Sequence, residues 1–405
     1  MKLKQVIVLS ILTVVGLTSC EKNLYDSDSN KPDKKVEDLI ISDDFDWKMS
    51  RNAECTFQSS TPTLVSIYSD ETCTQDQLLA TIPVLPNNNI TYPLSVLATA
   101  KNVYVKYENE SGVIVKAASV VDGKIDFTIP AGTQARTARA NEDFENIEGT
   151  LYFPRFGGGT IMFEDNYPEL GDYDFNDFVA NYMIEVNPNS SGIIEEIKFT
   201  LIVRAIGANK NYIPHFRIKS LSSEDVKEIS VEPGEFDGIL TVNQLKDIKD
   251  KFVLALNGAE DKMGDAFLNT QEDGIKRYPR KLTITMKIDP KANYDLRFIN
   301  ADGFDIFLAS QDKTKEIHTL GYGSAFKLEG YGEDNGNPNN YYKDPKTNLI
   351  WGICIPERID HAYENIDFLK AYPDFANWAE GDYNKANNWY LKGNKEYIFP
   401  MLSDK

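Results

Sequence analysis

Oxygen-bearing side chains are concentrated in one short stretch of the sequence, residues 164–177. Asp172, Asp174 and Asn176 recur at every second position, and Asp177 follows directly. Alternate side chains of an extended chain point to the same side, so these oxygens would face one way and the intervening aromatic rings the other. This clustering of oxygens favours a cation site.

Ligand chemistry favours calcium at this stretch. Carboxylates ~4 Å apart repel by roughly 1 kcal/mol in water and up to ~4 kcal/mol near a protein surface. Calcium takes ~6–8 oxygen ligands in irregular geometry, whereas magnesium requires a stricter octahedron. The alternative is an Asp/Asn-rich turn whose side chains cap backbone groups. The sequence predicts a structural Ca²⁺ site with these ligands: Asp172, Asp174, Asn176, Asp177, Glu164 and Asp165.

The stretch does not fit an EF-hand, and no common catalytic motif accompanies it. The position that needs glycine holds Asp177, and the twelfth position is Met183 rather than glutamate. The sequence contains no G-x-S-x-G, H-E-x-x-H, G-x-x-x-x-G-K-[ST] or C-x-x-C. We therefore assign no catalytic residue and expect a non-enzymatic protein. A glycosidase-type carboxylate pair stays open, because it needs no fixed spacing.

The first twenty residues have the features of a bacterial lipoprotein signal. Lys2 and Lys4 precede an apolar run over residues 6–17. The run is shorter than the ~20 residues of a spanning helix and matches the core of a secretory signal. The sequence ending in Cys20 resembles a lipobox, in which the cysteine receives a diacylglyceryl group and an acyl chain such as palmitate. Such chains would anchor the protein to the outer membrane or cell surface.

Composition and strand patterns predict a mostly β protein. The 405-residue chain is 41% hydrophobic with a net charge of −19, which argues against disorder and against nucleic-acid binding. Short alternating runs separated by turn signals favour two antiparallel β-sandwich domains, the second larger and jelly-roll-like, with short C-terminal helices. The predicted division is 1–19 signal peptide, 20–38 flexible tether, 39–135 N-terminal sandwich, 136–147 linker and 148–405 β-rich domain.

The cysteines and histidines outside the signal have mostly structural interpretations. An oxidising compartment would allow a disulfide between Cys55 and Cys73, although spacing does not establish its geometry. Cys354 lies in an apolar run and is predicted to be a core thiol. Glu316 and His318 would project to one side of a strand, where we expect an ordinary surface pair.

The C-terminal part has helical spacing over residues 357–372 and 373–380. This part is rich in aromatic residues, including Trp378 and Trp389. We expect these rings to anchor short helices onto the sheet. A stacking platform for a sugar ring is the alternative.

The acidic stretch also carries a family resemblance. The run T-I-M-F-E-D-x-Y-P-E-L-G-D-Y-D-F-N-D-F-V resembles the signature of LruC-domain lipoproteins, which are surface proteins of Gram-negative bacteria. The resemblance continues in residues 315–318, 320–322, 353–356, 362–363, 378–379 and 389–390, and spans about residues 148–400. It departs from the family pattern at 214–217, which is Pro-His-Phe-Arg. The resemblance implies an exported, lipid-anchored, β-rich protein, and it points to no particular enzyme because the family has no established biochemical activity.

Three classes of function follow from these observations. The first is a surface protein that binds or adheres to an unidentified protein or glycan. The second is a structural subunit of a surface appendage, which exchanges a β-strand between subunits. The third is a carbohydrate-active enzyme. We favour the first.

Overall fold

The fold is built mainly from short strands. The structure is a computed structural model that describes residues 34–86, 90–109, 111–130, 149–246, 248, 251–326, 340–381, 386–400 and 402. The strands are β1 (Ser50–Gln58), β2 (Thr63–Tyr68), β3 (Leu78–Val84), β4 (Thr91–Leu97), β5 (Asn102–Asn109), β6 (Gly112–Ser119), β7 (Lys124–Thr128), β8 (Thr150–Phe153), β9 (Gly159–Phe163), β10 (Phe178–Pro188), β11 (Ile194–Ala205), β12 (Tyr212–Ile218), β13 (Val226–Glu232), β14 (Thr241–Gln244), β15 (Phe252–Asn257), β16 (Arg280–Ile288), β17 (Phe304–Ser310), β18 (Glu316–Ile317) and β19 (Gly352–Ile355).

Helices are short and include both α and 3-10 types. The α-helices are α1 (Phe368–Ala371) and α2 (Asp374–Glu380). The 3-10 helices are Val36–Asp38, Gln75–Gln77, Ser223–Asp225, Gly234–Phe236, Pro290–Ala292, Leu296–Phe298, Ala301–Gly303 and Trp389–Leu391. The predicted mostly β architecture with short C-terminal helices is confirmed.

The strands form three sheets in the described part of the chain. The smallest has the order β4-β1-β7, and a second has the order β14-β15-β12-β17-β18. The largest has the order β13-β16-β11-β10-β8-β3-β2-β5-β6, with β9 and β19 branching from β10. Pairing within the sheets is antiparallel apart from β1 with β7, which is parallel.

The largest sheet joins the two predicted β regions. Strand β8 pairs with β3 on one side, through Ala80 and Leu151, and with β10 on the other. Residues from Lys35 onward form one compact unit. The predicted linker 136–147 and the boundaries beside it lie outside the described residues. The two β regions are thus connected through backbone hydrogen bonds of one sheet.

The core lies between the sheet faces. Phe199 of β11 and Phe216 of β12 stack across this interface, with ring centroids 4.1 Å apart and an interplanar angle of 5°. Both side chains are fully buried. Burial of one such side chain contributes about 1.5–3 kcal/mol. Strand β12 pairs regularly on both sides despite the unusual residues 214–217.

A second core surrounds the C-terminal helices. Trp378 and Trp389 are 1% and 0% exposed, so these rings are packing residues rather than a sugar platform. The helix predicted over 357–372 is confirmed only at α1. The preceding residues are irregular, because Asn365 has a left-handed φ of 61° and Asp367 caps α1 through the Leu369 amide.

The segment before β1 also packs on this second core. The Trp47 indole donates to the Asn348 carbonyl at 3.0 Å, and the rings of Phe45 and Trp378 lie 5.0 Å apart. Val36 is fully buried. The tether predicted for residues 20–38 therefore overlaps the folded unit at its last few residues.

Candidate calcium site

The acidic stretch is the connection between two paired strands. Phe163 at the end of β9 faces Phe178 at the start of β10, so the residues on either side of the loop are brought together. Tyr173 and Phe175 both have φ of 53°, in the left-handed region. The extended backbone predicted for this stretch is therefore wrong. Non-glycine residues adopt this conformation rarely, and local hydrogen bonds hold it here.

The Glu164 carboxylate organises the loop. It accepts hydrogen bonds from the backbone amides of Tyr173 at 3.3 Å and Phe175 at 2.6 Å. Both rings are 1% exposed, and Phe175 contacts Phe368 with centroids 5.2 Å apart. The aromatic residues thus fix the loop on the second core, with Asp174 between them in the sequence.

Three carboxylates converge at this loop. Glu164, Asp172 and Asp174 each offer an oxygen, and these oxygens all lie within 4.8 Å of one another. Glu164 and Asp174 are buried, whereas Asp172 is exposed. Such a group requires protons or a cation, because ionised carboxylates at this separation repel strongly in a buried environment.

The pKa values of the loop carboxyls are raised because these groups are buried close together. Burial and the charges of Asp174, Asp177 and Asp172 hold the pKa of Glu164 well above its usual range. Burial, with the charges of Asp172, Glu364 and Asp177, raises the pKa of Asp174 to about 9. Burial and the charge of Asp165 raise the pKa of Asp177 to about 7. A divalent cation would remove the repulsion and favour the ionised forms.

Asn176 provides an observation independent of the carboxylates. Its side chain is fully buried, and the Oδ1 atom has no hydrogen-bond partner. The amide nitrogen donates to the Ala362 carbonyl at 3.4 Å, which orients the oxygen. An unsatisfied buried acceptor costs about 1–3 kcal/mol. An amide oxygen in this position is a suitable Ca²⁺ ligand, so the residues present fit the predicted ion.

The two remaining predicted ligands have other partners. The Asp165 carboxylate accepts the Lys210 amide at 3.0 Å and lies 3.7 Å from the Lys210 ammonium. One oxygen of Asp177 accepts the Asp165 amide at 2.7 Å. The structure therefore groups Glu164, Asp172 and Asp174 most closely, with Asp177 beside them and Asp165 turned toward a lysine.

Sequence reasoning missed Glu364. A Cβ atom on Gly207 would meet Asn176 Oδ1 and would lie 2.8 Å from Glu364 Oε2, so both oxygens border the same space. Burial and the charge of Asp172 raise the pKa of Glu364, although Thr270 donates a hydrogen bond to it. No local signal in the sequence connects this residue to the distant acidic loop.

The thiols are not joined in the structure. Cys55 and Cys73 are both free, so the disulfide considered from the sequence is not formed. Cys55 is buried in β1 beside Tyr92, whereas Cys73 lies in a turn near the Asp70 carbonyl. The half-buried Cys354 lines an apolar crevice of about 110 Å³, and burial raises its pKa to about 12. This thiol is accordingly unreactive.

The pair Glu316 and His318 is fully buried, and its predicted surface location is wrong. The two ring nitrogens of His318 contact Asp305 Oδ2 at 2.9 Å and Glu316 Oε2 at 2.6 Å. Arg217 Nη2 pairs with the same Asp305 oxygen at 2.5 Å. Strand alternation correctly placed the pair on one side, but that side faces the protein interior.

The membrane-related predictions concern residues the structure does not describe. Cys20 and the signal peptide 1–19 lie outside the described residues. Among the helices that are described, none has the length and apolar character needed to cross a membrane.

Comparisons with known proteins find a similar fold and a partial match to one family model. Residues 192–390 match the family model described as "Domain of unknown function (DUF4842)". No curated protein matches the chain. A crystal structure from Bacteroides ovatus, described as a "Putative lipoprotein", has 22% identity and a TM-score of 0.65. The aligned region includes 84% of this chain and 100% of the Bacteroides ovatus chain.

A second solved structure, the major pilin subunit BcpA of Bacillus cereus, has 8% identity over 66% of this chain and 67% of its own. Its TM-score of 0.14 is too low to indicate a shared fold. The LruC resemblance stays a prediction. In its fold this chain is similar to the Bacteroides ovatus protein, and over residues 192–390 it is similar to the DUF4842 family.

Proposed function

We propose that the chain is an exported, lipid-anchored surface protein of a Gram-negative bacterium that acts in binding or adhesion. The lipobox-like sequence ending in Cys20 supports the anchor. The fold shared with a protein described as a "Putative lipoprotein" supports the same assignment. Its partners would be the outer membrane, through the acyl chains, and an unidentified protein or glycan.

The proposal includes one structural calcium ion. The buried, unpartnered Oδ1 of Asn176 beside crowded carboxylates is the observation that carries it. Glu164, Asp172, Asp174, Asn176 and Asp177 would hold the ion. When bound, calcium would neutralise the loop and fix the entry into β10.

The two other functional classes have less support. A strand-exchanging appendage subunit and a carbohydrate-active enzyme both stay open as predictions from the sequence. In the described residues we find no specific observation that favours either over a binding protein. Polymer ladders of the purified protein would favour the appendage, and turnover of a polysaccharide would favour the enzyme.

Thermal unfolding tests the calcium site. Calcium should raise the melting temperature of the full-length chain, since a ligand at a hundredfold excess over Kd stabilises by about 2.7 kcal/mol. Asp174→Ala with Asp177→Ala should abolish this response. The control is Glu272→Ala with Asp273→Ala, which removes two exposed carboxylates elsewhere and should leave the response intact. Equal melting curves with calcium and chelator would refute the site.

Cell fractionation tests the lipid anchor. Cys20→Ala removes the thiol that accepts the diacylglyceryl group, so the protein should move from the membrane to the soluble fraction. Cys73→Ala is the control, because it removes a thiol in the folded unit and should leave the protein on the membrane. Retention of the Cys20→Ala protein would contradict the anchor.

A further inference from the structure

The C-terminal segment 362–368 crosses the candidate calcium site. The Asn365 amide donates to Asp174 Oδ2 at 2.8 Å, and the Phe368 amide donates to the Tyr173 carbonyl at 2.9 Å. Asn176 in turn donates from its side chain to the backbone of this segment. The segment is therefore attached to the loop that carries the acidic residues, immediately before α1 begins.

Glu364 lies in the middle of this segment and is aimed at the site. Its amide donates to the Thr270 carbonyl at 2.9 Å, and the Thr270 hydroxyl donates to its Oε2 atom at 2.9 Å. The same Oε2 borders the space next to Gly207 that the unpartnered Asn176 oxygen also borders. Without a cation, this carboxylate would add another negative charge to a crowded group.

We propose that Glu364 is a further calcium ligand, so that the bound ion joins the β9–β10 loop to the C-terminal segment and controls its docking. This inference rests on the calcium site of the proposed function. Its physical basis is that one cation can attract carboxylates from both segments, whereas without it those carboxylates repel each other. Calcium would then strengthen the docking of the C-terminal segment, which buried aromatic side chains already favour.

Docking of the segment would also affect the residues that precede β1. The Val36 amide donates to Asp367 Oδ2 at 3.0 Å, and the Ile40 amide donates to Glu380 Oε1 at 2.7 Å. Loosening of α1 and α2 would weaken these bonds and expose the aromatic rings of the second core. The ion would therefore control the part of the folded unit that follows the proposed tether.

Hydrogen–deuterium exchange of the full-length chain tests the inference. We compare samples with calcium and with chelator and follow peptides from residues 362–380. Calcium should slow amide exchange there, in addition to slowing it over 164–177. Slowing confined to 164–177 would overturn the role of Glu364 while leaving the calcium site intact. No calcium binding at all, measured by titration calorimetry, would instead refute the proposed function itself.

A matched pair of variants completes the test. Glu364→Gln removes one charge at nearly constant volume. It should weaken calcium binding by about tenfold or more, because even the loss of a residue that only supports the ligands typically reduces metal affinity by that factor. Glu396→Gln changes an exposed carboxylate of the same C-terminal region and should bind calcium like the wild type. Equal affinity of all three proteins would overturn the inference. If Glu364→Gln does not fold, the exchange experiment on the wild type still decides.

Discussion

His318 is enclosed by charged side chains in the interior of the protein. Carboxylate oxygens only accept hydrogen bonds, and both ring nitrogens of His318 face one. Burial alone would raise the pKa of Asp305, but the charges of His318 and Arg217 outweigh it and lower the pKa to about 2. The pKa of Glu316 is also lowered, by its hydrogen bond to His318 against the effect of burial. Two ionised carboxylates then face two cations, with His318 as an imidazolium.

Loss of the imidazolium should be costly. His318→Phe keeps a ring on Phe307, which stacks on the histidine at 4.3 Å, but leaves two buried carboxylates facing one cation. Removing one partner from a buried charge pair costs about 3–5 kcal/mol. We expect this loss in the free energy of unfolding, measured with urea.

The exposed pair Lys287 and Glu228 provides the control for that measurement. Their charged atoms lie 3.1 Å apart, but both side chains are about half exposed. Lys287→Met should change the free energy of unfolding by less than about 1 kcal/mol. Similar losses for the two variants would contradict the distinction between the buried and the exposed ion pair.

At the scale of elements, local patterns predicted most strands but not what surrounds them. The apolar runs 160–165 and 178–186 predict strands on either side of the acidic stretch, and β9 and β10 have nearly these bounds. The pattern of residues 296–308 also predicts a strand, but in the structure that strand begins only at Phe304. Before it lie 3-10 turns, one of them capped by Asp295 through the Arg297 amide. Side chains that cap backbone amides interrupt a run whose apolar pattern alone favours a strand.

The candidate site shows the same limit. The acidic residues of the loop were predicted because they are neighbours in the sequence. Glu364 was not, since the nearby contact of Asn365 with Asp174 spans 191 positions. The space beside Gly207 could not be predicted from local sequence either, because it depends on where Asn176 lies in the fold. Nearness in the sequence predicts ligands within one loop, whereas the packing of distant segments determines the rest of a site.

At the scale of the whole molecule, two buried histidines make stability depend on pH. Burial lowers the pKa of His215 and of His361 to about 4 in each case. The ring of His361 donates to the Asn269 carbonyl at 2.6 Å, but its Nδ1 atom is buried without a partner, so a proton on that nitrogen would find no acceptor. In the unfolded chain both histidines have the ordinary pKa of ~6.5. The two neutral histidines therefore make their full contribution to the free energy of unfolding above about pH 6.5. This contribution is lost as the pH falls toward 4.

The size of this effect follows from the two pKa values of each histidine. A difference of ~2.5 units corresponds to about 3 kcal/mol for each buried imidazole. Calcium must be saturating in the measurement, because the raised pKa values of Asp174 and Asp177 give the metal-free protein the opposite dependence. Those carboxyls bind protons more tightly when folded, so they favour the metal-free fold at low pH.

Urea unfolding between pH 7.5 and pH 4.5 tests this dependence. The wild type should lose several kcal/mol over this interval, while His215→Gln with His361→Gln should show a shallower decline because glutamine does not titrate. The sequence has three histidines, so His318 is the one that the double variant retains. Both proteins carry His318, so it does not contribute to the difference between their curves. Parallel curves for the two proteins would mean that His215 and His361 are not the neutral groups that acid must charge.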